Sequence, residues 1–154
     1  MIFSRDKAEI TKVLSRYRQN GDTIVFTNGC FDILHPGHIF ILESAKSFGD
    51  ILIVGLNSDA SVRQLKGESR PIFTEPDRLK MLNGLSMVDE VIIFGEDTPI
   101  DLIKMVQPDV HVKGGDYRQE ELPETPIVES LGGRVEIVPF IEGQSTSAII
   151  EKLK

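Results

Sequence analysis

Tryptophan is absent from this 154-residue sequence, and it holds only one cysteine, two tyrosines and three histidines. A single cysteine, Cys30, cannot close an intramolecular disulfide, so the fold must rest on an apolar core, in keeping with a reducing compartment. Three histidines and no cysteine cluster leave too few soft ligands for a structural zinc site, and the HExxH spacing of a zinc protease is missing. Long hydrophobic runs are missing too. The longest, such as Ile51–Leu56, is strand-sized and falls well short of the ~20 residues that cross a bilayer. Residues Met1–Arg18 alternate charge with apolar side chains and lack the uninterrupted apolar segment of a secretory signal. The expected location is cytoplasmic, with no membrane partner. Basic residues are also in deficit, 17 against 24 acidic, for a formal charge of -7. That sign opposes affinity for a phosphate backbone, and nucleic acid is excluded as an expected partner.

The rest of the composition is that of a globular chain, 40% hydrophobic and 27% charged without long blocks of either, and its length suits one domain. We read residues 1–154 as a single domain, with an N-terminal helix over 1–20 and an α/β core over 23–154. Short β-rich runs alternate with helix-period segments, the pattern of a parallel sheet wrapped by helices. The strands are expected at Thr23–Thr27, Ile51–Asn57, Glu90–Phe94, Val110–Lys113 and Val135–Phe140. Most are nearly continuous apolar runs, as strands covered on both faces require. Helices fit at Asp6–Gln19, Gly37–Phe48, Ala60–Leu65, Glu75–Leu85, Pro99–Val106, Thr125–Leu131 and Ser145–Leu153. Gly49 stands where a C-terminal glycine would end the second helix. Two polar connections, Lys66–Thr74 and Lys113–Glu124, are long enough to reach over a site. The fold class is a Rossmann-like, doubly wound sheet of five parallel strands in the order 3-2-1-4-5.

Chemistry concentrates in Thr27-Asn28-Gly29-Cys30-Phe31-Asp32-Ile33-Leu34-His35-Pro36-Gly37-His38, between the first strand and the next helix. In a doubly wound sheet this is the strand edge where ligands bind. Gly29 permits a tight turn, and backbone N–H groups there, with those of the helix N-terminus, make an anion site. Two histidines three apart at the helix mouth project to one side and can meet phosphate oxygens. A histidine at a helix start often only caps or packs; two of them after a glycine turn argue for function.

The run GCFDILHPGH resembles the Gly-x-Phe-Asp-x-x-His-x-Gly-His signature of the cytidylyltransferase-like (HxGH) nucleotidyltransferases. The resemblance extends through Asn57-Ser58-Asp59, Leu65–Pro71, Pro76-Asp77-Arg78, Val112–Tyr117 and Glu142–Ser147. These segments look like the adenylyltransferase domain of the bacterial bifunctional enzyme that makes ADP-heptose, which implies a part in lipopolysaccharide core biosynthesis. The resemblance implies adenylyl transfer from ATP, with Mg²⁺ carried by the nucleotide, to a sugar 1-phosphate such as D-glycero-β-D-manno-heptose 1-phosphate.

By that resemblance His35, His38 and Lys66 are the candidate catalytic residues. Arg78 would bind the triphosphate or the acceptor phosphate, and Arg70 the phosphates. Lys113, Gly115 and Asp116 would lie near base and ribose, and Ser145 and Thr146 would meet phosphate while capping the last helix. Thr27, Asn28, Gly29, Cys30, Phe31, Asp32, Gly37 and Asn57 complete the candidate nucleotide-binding set. The ordinary fate of a single Lys66, Arg70 or Arg78 is a solvated charge, and of Asp116 a turn or N-cap. Lys113–Asp116 lacks the spacing of a Walker phosphate loop. Cys30 lies near a helix N-terminus that lowers a thiol pKa, yet the acceptor's own phosphate is the nucleophile in this chemistry.

One departure bears on the base. Cytidylyltransferases of this fold carry Arg-Thr where this sequence has Phe140-Ile141, which disfavours cytosine and favours adenine held by backbone groups and apolar stacking. Three alternatives stay open: a cytidylyltransferase acting on glycerol 3-phosphate or another alcohol phosphate, a nucleotidyltransferase making a dinucleotide cofactor, and a non-catalytic nucleotide-binding module. A homodimer, and a separate sugar kinase in the same pathway, are the expected partners beyond small molecules. Met1 with its short amphipathic lead suggests a stand-alone transferase rather than an excised domain.

Overall fold

The computed structural model describes residues 7–140 and 145–154. The expected helix start at Asp6, Ile141 of the departing pair, and Glu142-Gly143-Gln144 of the last motif lie outside the described residues. Five parallel strands form one Rossmann-like sheet: β1 (Ile24–Gly29), β2 (Ile51–Asn57), β3 (Glu90–Phe94), β4 (Val110–Gly114) and β5 (Arg134–Val138). Their order is β3-β2-β1-β4-β5, as expected from the sequence. The helices are α1 (Lys7–Gln19), α2 (Pro36–Lys46), α3 (Asp59–Lys66), α4 (Glu75–Asn83), α5 (Ile100–Val106), α6 (Glu124–Ser130) and α7 (Thr146–Lys152). Strands β2 and β3 have the expected bounds, the other boundaries lie within two residues of the sequence reading, and a 3₁₀ turn at Gln119–Glu121 interrupts the second polar connection.

Alternating strand residues build two cores, because successive side chains point to opposite faces of a sheet. Ile24, Phe26, Ile53, Ile92 and Val135 face α1, α5 and α6, meeting Ile10, Leu14, Leu102, Ile103 and Val128. Val25, Leu52, Val54, Val91, Val110 and Val112 face the other side with Leu42 and Ala45 of α2 and Leu82 of α4. Helix α1 adds polar anchors: the Tyr17 hydroxyl donates to Glu90 and the Arg18 guanidinium to the Val106 carbonyl. None of the described helices is long and apolar enough to cross a membrane.

The order of winding reverses between β1 and β4, and there the ladder is short. β1 pairs with β2 all the way from Ile24↔Ile51 to Gly29↔Leu56, whereas its register with β4 holds only Val25↔Val110 and Phe26↔His111. Beyond Phe26 the two strands part, which is the crevice a doubly wound sheet offers a ligand.

Gly49 has a different reason from the one expected. Helix α2 stops at Lys46 with Ser47 as its right-handed C-cap, so no left-handed glycine ends it. Gly49 instead lets the chain pass β1 closely: a Cβ there would lie 2.7 Å from Val25 Cγ2 and 2.8 Å from the Thr23 carbonyl oxygen. Gly49→Ala is expected to lower stability by about 1–3 kcal/mol, the usual cost of overpacking, measured by chemical denaturation; an unchanged midpoint would contradict this close packing.

Candidate active site

The β1–β4 crevice opens into a cleft of about 750 Å³, within the size range of small-molecule sites. Its lining includes Thr27–Asp32, His35, Gly37, His38, Asn57, Lys66, Arg70, Lys113, Ser145 and Thr146. Most of the residues singled out in the sequence therefore share one cavity, drawn from the ends of β1, β2 and β4 and the starts of α2 and α7. Burial pushes the Cys30 thiol up, so the lowering expected from the helix N-terminus does not prevail.

The histidine pair has a definite geometry. His35 is the N-cap of α2, and its Nδ1 accepts from the Gly37 N–H at 3.1 Å; His38 Nδ1 accepts from the His35 N–H at 3.3 Å. The two rings stack with centroids 3.8 Å apart, and Phe31 packs 5.3 Å from the His38 ring. A ring nitrogen that accepts carries no proton, so each neutral imidazole holds its proton on Nε2. The same capping corrects one expectation. The Gly37 amide is spent on His35 Nδ1, the His38 and Ile39 amides on the His35 carbonyl, and Pro36 has none. At this helix mouth the available donors are imidazole Nε2–H groups, aided by the helix dipole, rather than the backbone.

Both rings are held neutral. Burial lowers the pKa of His35. Burial and then the charge of His35 lower that of His38 to about 4, opposed by the nearby Ile33 backbone.

Arg78 requires a correction. It was expected at the triphosphate or acceptor phosphate, but its side chain is fully buried below the cleft and does not line it. Its Nε donates to the Phe73 carbonyl at 2.9 Å, Nη1 to the carbonyls of Cys30 and Asn57 at 2.8 Å, and Nη2 to Asp59 at 2.7 Å. One guanidinium thus ties together the ends of β1 and β2, the start of α3 and the loop before α4. Asp32 is likewise committed. Its carboxylate, fully buried, accepts from Arg70 Nε at 2.8 Å and from the Ile72 and Phe73 amides at 2.9 Å. Burial raises the Asp32 pKa, but these hydrogen bonds outweigh it and hold the pKa below the usual carboxylate range. Asp32 fixes the loop and orients Arg70, leaving no free carboxylate for a nucleotide.

Smaller departures follow. Gly115 is buried with φ +133° and its N–H on the Val138 carbonyl, and neither it nor the exposed Asp116 lines the cleft. Ser145 caps α7 through the Ala148 N–H, while the Thr146 hydroxyl donates to the Ile33 carbonyl at 3.1 Å. The sequence reading missed the apolar walls Ile41, Leu65 and Tyr117. Ile41 was legible as one helical turn beyond His38. Tyr117 and Phe140 stand over the two glycines, and a Cβ on Gly115 would meet the Tyr117 ring at 2.8 Å. Lys113 Nζ lies 5.6 Å from the Tyr117 ring centre.

A family model described as cytidylyltransferase-like matches residues 26–152. The "Bifunctional protein HldE" of Syntrophotalea carbinolica is 50% identical over 97% of this chain and 30% of its own length. That of Wolinella succinogenes is 52% identical over 99% of this chain and 31% of its own length. The chain thus spans about 30% of the length of the curated relatives it matches. Among solved structures, a lipopolysaccharide core biosynthesis protein from Thermoplasma volcanium is 35% identical over 79% of this chain and 98% of its own, with a TM-score of 0.65. Pantoate-beta-alanine ligase from Francisella tularensis, complexed with beta-gamma ATP and beta-alanine, covers 100% of this chain and 74% of its own at a TM-score of 0.73. At 17% identity it shares the fold alone.

Two expectations follow from the site. Arg78→Leu would strand three carbonyls and should destabilise by at least about 3 kcal/mol at the usual cost of buried unpaired groups, read by denaturant titration; a neutral change would contradict the guanidinium's structural role. The second concerns pH. A histidine with a lowered folded pKa binds its proton more readily when unfolded, so stability is fully present above about pH 6.5 and falls as pH drops toward about 4. His38→Asn should make the fall of unfolding free energy over that window shallower; an identical slope would show that His38 does not titrate there.

Proposed function

The chain belongs to the cytidylyltransferase-like family, and on that premise we propose that it transfers AMP from ATP to a sugar 1-phosphate. The acceptor we propose is D-glycero-β-D-manno-heptose 1-phosphate, giving ADP-heptose and pyrophosphate. The observation that carries the reading is the stacked, cap-tethered histidine pair facing a cleft that also receives Lys66, Arg70 and Lys113. The heptose rests on the resemblance of Leu65–Pro71 and Val112–Tyr117 to the ADP-heptose enzyme and on the HldE relatives.

In this reading an oxygen of the acceptor phosphate attacks the α-phosphorus of ATP in line. The new P–O bond forms as the bond to the pyrophosphate oxygen breaks, and no covalent enzyme intermediate arises. Catalysis is positioning and charge stabilisation. The Nε2–H groups of His35 and His38 donate to phosphate oxygens on which charge accumulates, and they need no reorganisation because the helix cap already fixes the rings. Lys66, at the end of α3, and Arg70, held by Asp32, supply positive charge from the loop side. Thr27, Asn28, Asn57, Ser145 and Thr146 give neutral polar contacts.

Among the described residues no group of three or more His, Cys, Asp or Glu side chains is placed to hold a metal. Mg²⁺ would be carried by the triphosphate, whose negative charge it would neutralise. ATP rather than CTP fits the aromatic Tyr117 and Phe140 beside Gly114 and Gly115, an apolar wall on which a purine can stack. The ATP analogue named with the Francisella structure on the same fold is in keeping with this choice. A homodimer and a kinase supplying the acceptor remain part of the proposal.

His38→Asn tests the central step, since an asparagine oxygen can replace Nδ1 as cap acceptor while the Nε2–H is lost. Turnover of ATP with heptose 1-phosphate should fall by about 10²–10³-fold, as on loss of one transition-state donor, with the melting temperature nearly kept. Unchanged turnover would remove His38 from catalysis. In a pyrophosphate-release assay ATP should far exceed CTP; the reverse would favour a cytidylyltransferase, and ATP binding without release for any sugar phosphate would favour a binding module.

A further inference from the structure

His111 is a polar residue between the buried valines Val110 and Val112 of strand β4, and packing does not explain it. Its ring is fully buried, tilted against Phe26 at a centroid distance of 5.5 Å. Nδ1 has no hydrogen-bond partner among the described residues. A leucine would fill such a slot without stranding a polar atom, which costs stability when buried. The ring's hydrogen bond leads instead toward the cleft: Nε2 lies 3.4 Å from Asn28 Oδ1, and Asn28 lines the cavity.

The position of this contact follows from the sheet. Phe26 and His111 are the last registered pair of β1 and β4. Phe26 and Asn28 point to one face, as residues two apart on a strand do, so Asn28 hangs over the gap directly above His111. On the opposite face Thr27 Oγ1 donates to the Val112 carbonyl at 2.8 Å. Side chains thus bridge the crevice just where the backbone ladder ends.

We propose that His111 is a positioning residue for nucleotide binding: its Nε2–H donates to Asn28 Oδ1 and so turns the Asn28 amide nitrogen into the cleft as a fixed donor. The group it receives is an acceptor atom of ATP, a hydroxyl or phosphate oxygen or a ring nitrogen of the base. Without the imidazole the amide is free to rotate and present oxygen instead of nitrogen, which an anionic or acceptor-rich ligand repels. Burial, then the nearby Lys113, lower the His111 pKa to about 4, so the ring stays neutral and keeps one donor nitrogen near neutral pH. This inference rests on the proposed use of ATP but not on the acceptor sugar.

The test is ATP affinity by calorimetry on the full chain, alongside the melting temperature. His111→Leu should weaken ATP binding by about tenfold, the worth of one neutral hydrogen bond, while the melting temperature holds or rises. Glutamine places an N–H near the position of Nε2, asparagine near that of Nδ1, so His111→Gln should restore affinity to within about threefold and His111→Asn should not. The Asn28→Ala and His111→Leu losses should be strongly non-additive when combined. Unchanged affinity in His111→Leu, equal affinities for the glutamine and asparagine variants, or additive losses would overturn the assignment. If the unsubstituted chain binds ATP but releases no pyrophosphate, the proposed reaction fails while the affinity series still decides His111. No ATP binding at all overturns both.

Discussion

The buried guanidinium of Arg78 is the interaction on which the cleft edge of the sheet depends. Loops at the C-terminal ends of parallel strands must leave the ladder, and their carbonyls then need partners away from water. Arg78 meets three of them, on Cys30, Asn57 and Phe73, and adds an ion pair to Asp59. An arginine suits this better than a lysine because its planar fork serves several acceptors at once and its charge cannot be lost by deprotonation. Asp32 works from above in the same way, its carboxylate collecting two amides and Arg70. The loop carrying Arg70 is thus fastened from both sides, and the cation that lines the cleft is oriented before any ligand arrives.

The histidines show stability and chemistry sharing the same atoms. One nitrogen of each ring caps α2 and so fixes the tautomer, and the other is left as a donor. The arrangement keeps the rings neutral in the unliganded chain, because burial and their mutual proximity oppose protonation. A polyanion entering the cleft works against that lowering, since negative charge nearby favours the protonated form.

Much of this fold was legible. Five apolar runs alternating with helical segments leave few topologies, and the right-handed crossover rule reduces them further; the order 3-2-1-4-5 is one of the two common ones that remain, and either gathers residues 27–38 at the ligand edge. What was not legible depends on tertiary neighbours. Nothing local marks Arg78 as buried, because a basic residue in an amphipathic helix reads as solvated unless the carbonyls it will meet are known. Gly49 sits where helices commonly end in glycine, and only the nearness of Thr23 and Val25 shows its actual reason. The helix-mouth amides looked available because the sequence does not reveal that the histidines consume them. His111 carried a signal, a polar residue amid apolar neighbours, but its meaning needs the β1–β4 register.

Charge distribution resolves the apparent conflict between an acidic chain and an anionic ligand. At the N-terminal edge of the sheet, Asp50, Asp89 and Asp109 accept from the amides of Thr23, Leu52 and Ile24. Those carboxylates do structural work where strands begin and lie at the far end of the sheet from the cleft. At the other edge Lys66, Arg70 and Lys113 line the cavity, while Asp32, the one carboxylate lining it among the described residues, is buried and neutralised by Arg70. The net charge of -7 therefore says little about the local field at the cleft. Within a Debye length, roughly 8 Å at physiological salt, the ligand meets cations and imidazole donors, and the acidic remainder is screened. A nucleic-acid surface needs an extended basic face, on which net charge bears; a pocket needs only a few cations, correctly held.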